Sequence, residues 1–344
     1  MGNRQDPLKQ RPRSHSEVPD PLREPDASFE QQELKLRAQE VFIPLAPDSG
    51  FLKRHEQTLA LEDRAVVCVF GGAATGKGTT CSKFAEEIGA AYIDSGALFR
   101  TISLIAQREG FSASAEKRLL TPDGRPVEDD EEALAALVYT ARNLPIRFKE
   151  QYDNASPAIL IAVTSLSGEQ REDYIDISSQ IRDSNVADRL KPEILAATVR
   201  IQPVRAALYE FLREITPDQA VVEGRSNIFT EVYRDVHSKT ALQLVADAKV
   251  RGARRLAQSL GISDEWQRLL DSRDEDVQEG LTEMTLAIQK RDLADGVEDD
   301  AKIPGVIQYD TTFNTVAQTI DALEQRAEPM LSAWRATFEK AKKS

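Results

Sequence analysis

A parallel α/β sheet covered by helices on both faces is predicted by three features of the 344-residue chain. Five short β-prone runs recur along it: Ala65-Val66-Val67-Cys68-Val69-Phe70, Ala91-Tyr92-Ile93-Asp94, Ala220-Val221-Val222-Glu223, Ala241-Leu242-Gln243-Leu244-Val245 and Val306-Ile307-Gln308-Tyr309-Asp310. The first is apolar without alternation, as a strand buried on both faces must be. Helical segments separate the runs, and strands alternating with helices build parallel sheets through crossover connections.

Residues 1 to about 27 are polar and rich in Pro, Arg, Asp and Ser. They carry too little apolar surface to offset the entropy of ordering, so disorder is expected there. Residues 28–41 fit a polar helix, and Ile43 to Asp63 has no clear period. Residues 1–62 therefore read as an N-terminal extension and 63–344 as the main domain. Within that domain a helix from Lys77 to Ile88 follows the first strand, and another from about Ala97 to Arg108 follows the second. Residues 112–130 read as loop, with Pro122-Asp123-Gly124 as a turn, and Glu131 to Arg142 as a helix. Ile146-Arg147-Phe148, Ile159 to Val163 and Tyr174 to Ile177 look like strands of a small subdomain. Helices are expected at 193–201, 203–214, 248–259, 275–291 and 314–340.

Composition narrows the function classes. Lys plus Arg is 44 against 57 for Asp plus Glu, a net charge of -13. Such a surface repels nucleic-acid backbones at long range, so no nucleic-acid partner is expected and any phosphate site must be a local basic pocket. Two cysteines, Cys68 and Cys81, make neither a disulfide framework nor a CxxC metal site. A reducing cytosol fits, and a cytoplasmic monomer is expected. No apolar run approaches the roughly 20 residues that span a bilayer, and the first residues lack a signal peptide's apolar stretch. Met1-Gly2-Asn3 is followed by Asp6 where a myristoylation signal needs Ser or Thr.

The first strand runs into Gly71-Gly72-Ala73-Ala74-Thr75-Gly76-Lys77-Gly78-Thr79, and a helix follows. Glycines let backbone N–H groups converge on phosphate oxygens, and the helix presents its positive end to the same anion. Lys77 supplies a mobile charge for the β and γ phosphates. The common pattern has Ser or Thr directly after the lysine; here Gly78 stands there, and Thr79 becomes the candidate magnesium hydroxyl. The fold class is then the P-loop NTPase α/β fold, a five-stranded parallel sheet flanked by helices, binding ATP with Mg²⁺. A GTPase is disfavoured because no Asn-Lys-x-Asp run occurs. The acceptor must be read elsewhere. Arg100 falls on the first turns of the helix after the second strand, near the carboxyl ends of the strands where ligands of open sheets bind. Its planar fork suits a phosphate. His15, His55 and His237 fall outside every motif and read as surface or tail residues.

Gly71 to Thr79 together with Asp94-Ser95-Gly96-Ala97-Leu98-Phe99-Arg100 resembles the cytidylate kinase family, and an ordered series continues the likeness. Tyr174 to Arg182 resembles the end of that family's acceptor-binding insert. Pro203-Val204-Arg205 resembles its Val-Arg helix start, and Val222-Glu223-Gly224-Arg225 its Asp-Gly-Arg turn. Arg251-Gly252-Ala253-Arg254-Arg255 resembles the arginines opening its lid, and Arg291-Asp292 with Asp295 its Arg-Asp-x-x-Asp motif. The resemblance implies an insert at about 144–182 and a helical lid at about 251–300. It implies that Ser95 and Arg205 contact the acceptor nucleotide and that Arg100 and Arg225 hold its phosphate. Arg291 and Asp295 would meet the acceptor sugar and phosphates as the lid closes, and Arg251 and Arg255 would face the donor. Glu223 would steer hydrated Mg²⁺; the alternative reading is a partner for Arg225. The implied activity is transfer of the γ-phosphoryl group of ATP to CMP or dCMP.

The sequence departs from the family at the acceptor side. Uncharged Ser226 and Asn227 follow Arg225, where the family has an Asp that accepts from the base's amino group. Glu298 stands where a lid arginine is expected, with Lys302 as a compensating cation. Thr198 is the nearest counterpart of an acceptor-helix serine, and the stretch from Arg255 to Arg291 is longer than the family's. A different nucleotide or small-molecule acceptor, or a nucleotide-binding regulatory module with impaired catalysis, remain the alternative readings.

Overall fold

In the computed structural model, residues 40–41, 59–144, 146–149, 158–165, 172–177, 181, 189–295 and 297–343 are described. The expectations for residues 1–39 and 42–58 lie outside them, as do Ser178 to Gln180 and Arg182. Glu40–Val41, expected to end a helix, is a two-residue strand, the backbone that β-branched Val41 favours. Two compact units are present: one contains Ala246–Asp295, the other Val41–Val245 with Gly296–Ser344.

The larger unit is built on the expected sheet. Strand β1 (Ala65–Gly71) is buried at every position, and helix α1 (Lys77–Glu87) follows it. Strand β2 (Ala91–Asp94) leads into α2 (Ser95–Arg108). Helix α3 (Glu131–Arg142) is capped by Asp130, which accepts from Ala133 N–H. Strands β3 (Ile146–Lys149), β4 (Ala158–Ser165) and β5 (Glu172–Asp176) pair antiparallel in that order. Helices α4 (Pro192–Thr198) and α5 (Gln202–Ile215) each start with proline in the first turn, where its missing N–H costs nothing. Strands β6 (Gln219–Gly224) and β7 (Ser238–Val245) complete this stretch. The expected loop at 112–130 differs in two respects: Ser112–Ala113 pairs with Leu119–Leu120 in a short hairpin, and Val127–Asp129 forms a 3-10 turn, both too brief to leave a periodic signal.

In the other unit lie α6 (Ala248–Ser259), the five-residue α7 (Trp266–Leu270) and α8 (Glu275–Asp295). The larger unit ends with β8 (Ile307–Asp310) and α9 (Val316–Lys343). The sheet order is β8-β7-β1-β6-β2, and every pairing is parallel. The glycine-loop strand is therefore central. Its alternate side chains enter different cores: Val66, Cys68 and Phe70 pack with Leu98, Ile102 and Leu208. Ala65, Val67 and Val69 pack with Phe84 of α1 and Leu323 of α9. Burial on both faces explains the unbroken apolar run; each large side chain so buried contributes roughly 1.5–3 kcal/mol.

The helical unit has a core of its own from Ala253, Ala257, Leu269 and Leu281, flanked by Leu256, Trp266 and Leu270. A side chain at Gly252 would overlap Thr285 on α8, so glycine permits the close approach of α6 to α8. The Arg254 guanidinium stacks 4.9 Å from the Trp266 ring centre. Helix α7, which the sequence did not announce, occupies the part of the chain that is longer than expected.

Candidate active site

Strand β1 delivers the glycine loop to the carboxyl end of the sheet. Gly71 has φ 141°, and a Cβ there would overlap the Leu244 carbonyl oxygen on β7. Both the backbone and the space demand glycine. Lys77 opens α1 and turns back, its Nζ donating to Gly71 O at 3.0 Å and Gly72 O at 2.7 Å. Thr75 Oγ1 donates to Gly72 O at 3.0 Å. From the far side Thr311, one residue beyond β8, donates through Oγ1 to Thr75 O (3.0 Å) and Val245 O (3.1 Å). Gly76, Lys77, Gly78 and half-buried Thr79 stand at the amino end of α1, where the helix dipole favours an anion.

Two carboxylates meet beneath this loop. Asp94 ends β2 and Glu223 lies opposite it near the end of β6. Asp94 caps α2 by accepting from Ala97 N–H at 3.0 Å, and its other oxygen accepts from Arg100 Nη2 at 2.6 Å. Glu223 is half-buried, its Oε2 shut off from solvent and without a hydrogen-bond partner among the described residues. Burial first, then the Asp94 charge, push its carboxyl up to about 7; Lys77, Arg100 and a hydrogen bond from Tyr92 act the other way. A Cβ at Gly78 would lie 3.5 Å from Glu223 Oε2, so the carboxylate sits against the first turn of α1.

Among the expected acceptor residues, Ser95, Arg225, Ser226 and Asn227 follow directly on the ends of β2 and β6. Ser95 Oγ donates to Glu223 O at 2.7 Å. Arg225 Nη1 donates to Gly71 O at 2.6 Å, the same carbonyl that receives Lys77. The Nε atoms of Arg100 and Arg205 are buried without partners among the described residues. Arg225 is followed by half-buried Ser226, whose carbonyl accepts from Phe229 N–H at 2.9 Å, and by Asn227 at the head of a π-helical turn, Ile228–Val232. Asn227 Nδ2 donates to the Tyr209 hydroxyl. Tyr209 also meets Phe99 edge-on, with ring centres 6.2 Å apart and planes at 80°. Burial pushes the Tyr209 phenol up to about 12, with Arg205 opposing.

Thr198 is turned into the core. It is fully buried and its hydroxyl donates to Ile194 O at 2.8 Å within α4, so it is closed to a ligand in this structure. Its apolar surroundings, and not its place in the chain, decide its role. The sequence reading also passed over Tyr92, Tyr209 and Thr311. For Tyr209 a signal existed: it stands four residues after Arg205, on the same face of α5.

In the helical unit Arg251 is buried, ion-paired with Asp292 on α8, and donates through Nε to Ala246 O at 3.1 Å. Its charge is thus committed inside the unit in this conformation. Arg255 Nη1 donates to Gln258 Oε1 at 2.7 Å, and Arg291 is exposed. Asp295 ends α8; its side chain and that of Glu298 lie outside the described set.

Among the described residues no cluster of three or more His, Cys, Asp or Glu is arranged to hold a metal. The donor set that does exist, a Thr79 hydroxyl and the unpartnered Glu223 Oε2, is hard oxygen. That suits Mg²⁺, which is held by one or two protein oxygens together with substrate phosphates.

A central strand, a glycine loop whose lysine folds onto it, and a helix pointing its amino end at the cradle define a P-loop protein of the NTPase and kinase class. The cytidylate kinase family model matches residues 67–328, and the chain belongs to that family. It is a nucleoside monophosphate kinase by that membership. A relative named cytidylate kinase from Pelodictyon phaeoclathratiforme is 27% identical over 267 residues, covering 77% of this chain and 95% of its own. One from Corynebacterium diphtheriae is 28% identical, covering 76% and 94%, and one from Geobacter is 28% identical, covering 79% and 96%. Among the described residues no helix is long and apolar enough to cross a membrane.

Proposed function

We propose that the chain transfers the γ-phosphoryl group of ATP, bound with Mg²⁺, to CMP or dCMP, giving ADP and the nucleoside diphosphate. The observation that carries this reading is the sharing of one oxygen: Lys77 from the donor loop and Arg225 from the acceptor side both donate to Gly71 O. Two cations that meet at one point are suited to two phosphates placed end to end. The acceptor phosphate is already anionic, so the reaction needs little general base. Alignment and charge cancellation supply the rate. Lys77 exchanges the Gly71 and Gly72 carbonyls for β- and γ-phosphate oxygens. Arg225 and Arg100 hold the acceptor phosphate, and Ser95 and Arg205 orient its nucleoside. Thr79 and Glu223 would hold Mg²⁺, which when bound would neutralise charge on the donor phosphates. Ala246–Asp295 acts as a lid through Arg255, Arg291 and Asp295, excluding water from the transfer.

The experiment is an acceptor panel with ATP and Mg²⁺, reading ADP release. CMP and dCMP are expected to exceed AMP and GMP clearly. Equal use of the purine monophosphates sinks the pyrimidine assignment. ATP binding with no acceptor-dependent ADP release sinks the kinase reading and favours a regulatory module.

A further inference from the structure

The Asn227–Tyr209 contact is not accounted for by any role assigned above. Asn227 lies two residues after Arg225, and Tyr209 one helical turn after Arg205. Phe99, adjacent to Arg100, borders the phenol edge-on. A half-buried amide and a half-buried hydroxyl thus stand among the groups assigned to the acceptor. Burial keeps the phenol protonated well past neutral pH, so the pair has no formal charge.

An amide–phenol pair has two senses. In the observed sense Asn227 donates to the phenol oxygen. Its own Oδ1 is then an acceptor, and the phenol proton is available as a donor. That pattern matches the edge of cytosine, whose amino group donates and whose ring N3 accepts. Rotating the amide by half a turn reverses it: Oδ1 accepts the phenol proton, Nδ2 donates outward and the phenol oxygen accepts. The reversed pattern matches uracil, whose carbonyl accepts and whose N3–H donates. A carboxylate can only accept, and so selects the amino base alone. We propose that the Asn227–Tyr209 pair reads the acceptor base and, because it reverses, admits UMP alongside CMP. This rests on the acceptor assignment made under the proposed function.

The test is kcat/KM for CMP and UMP, each with saturating ATP and Mg²⁺. For the unaltered protein the two values are expected within about tenfold of each other, because neither base leaves a buried group unpaired. Asn227→Asp, whose carboxylate can accept from the cytosine amino group but cannot donate to the uracil carbonyl, is expected to raise the CMP-to-UMP ratio by about tenfold or more. Tyr209→Phe is expected to lower both efficiencies and leave their ratio within about threefold of its starting value, since a free amide still turns either way. UMP used more than about 100-fold less well than CMP by the unaltered protein overturns the inference, as does an unchanged ratio in Asn227→Asp. Use of neither pyrimidine overturns the acceptor assignment beneath it. The ratio in the unaltered protein needs no substitution, so the inference stays testable even if a variant fails to fold.

Discussion

At the mouth of the sheet Lys77 and Arg225 donate to a neutral backbone carbonyl, while in Ala246–Asp295 the Arg251 guanidinium is buried against a carboxylate. The difference lies in what an incoming phosphate must displace. A carbonyl holds a cation with one hydrogen bond, and an anion outbids it. A buried carboxylate does not release its partner without leaving a desolvated charge behind. The buried Arg251–Asp292 pair therefore holds α6 to α8. The family likeness gave Lys77 and Arg251 related duties; in this structure their hydrogen-bond partners differ.

Substitutions sharpen this contrast, the largest effect first. Lys77→Ala is expected to lower kcat on the order of 10³-fold with little change in melting temperature. A collapsed melting transition instead would mean that its bonds to Gly71 and Gly72 are structural. Arg251→Ala removes the buried ion pair with Asp292, costing roughly 3 kcal/mol. Amide exchange should quicken across α6 and α8 while the strands of the sheet stay protected. Loss of ATP affinity with unchanged exchange would erase the contrast and return Arg251 to the donor.

Glu223 gives a pH signature. Its carboxyl is raised in the fold to about 7, above the ordinary 4.5, so between those values the native state binds the extra proton. Its contribution to stability is full below about 4.5 and is lost as pH rises through about 7. Glu223→Gln removes that slope, and should be more stable than the unaltered protein at pH 8 by about 2 kcal/mol. Parallel denaturation curves for the two proteins from pH 5 to 8 would contradict the buried carboxylate pair. The smallest effect is expected from Thr311→Val, which frees the loop carbonyl of Thr75 at a cost of about 1 kcal/mol. A few-fold rise in KM for ATP, with kcat nearly constant, is the measurement that checks it.

Much of the fold could be read from residues alone because its signals are local. A strand buried on both faces must be apolar throughout, and Ala65 to Phe70 is. A phosphate loop is made by backbone, so its glycines and lysine stand together in the chain. The five core strands and the helices at Glu131–Arg142 and Ala248–Ser259 follow from the same local patterning. The residues that were missed are those whose meaning comes from a distant partner. Thr311 braces Thr75 across 236 positions, Asp292 meets Arg251 from another helix, and Tyr209 acquires its role only when Asn227 reaches it. Thr198 is a further case of context: a hydroxyl at a plausible spacing is turned inward because Ile194, Ala197 and their neighbours are core.

The stack of Arg254 on Trp266 also supplies an optical handle. The chain has two tryptophans, and they divide between the units: Trp266 belongs to the helical one, Trp334 to the other, where its indole donates to Asp63 O at 2.7 Å. Replacing Trp334 with Phe leaves a single emitter whose colour and quenching report on the helical unit alone. Titrating such a protein with nucleotide follows that unit's response in real time without any attached dye.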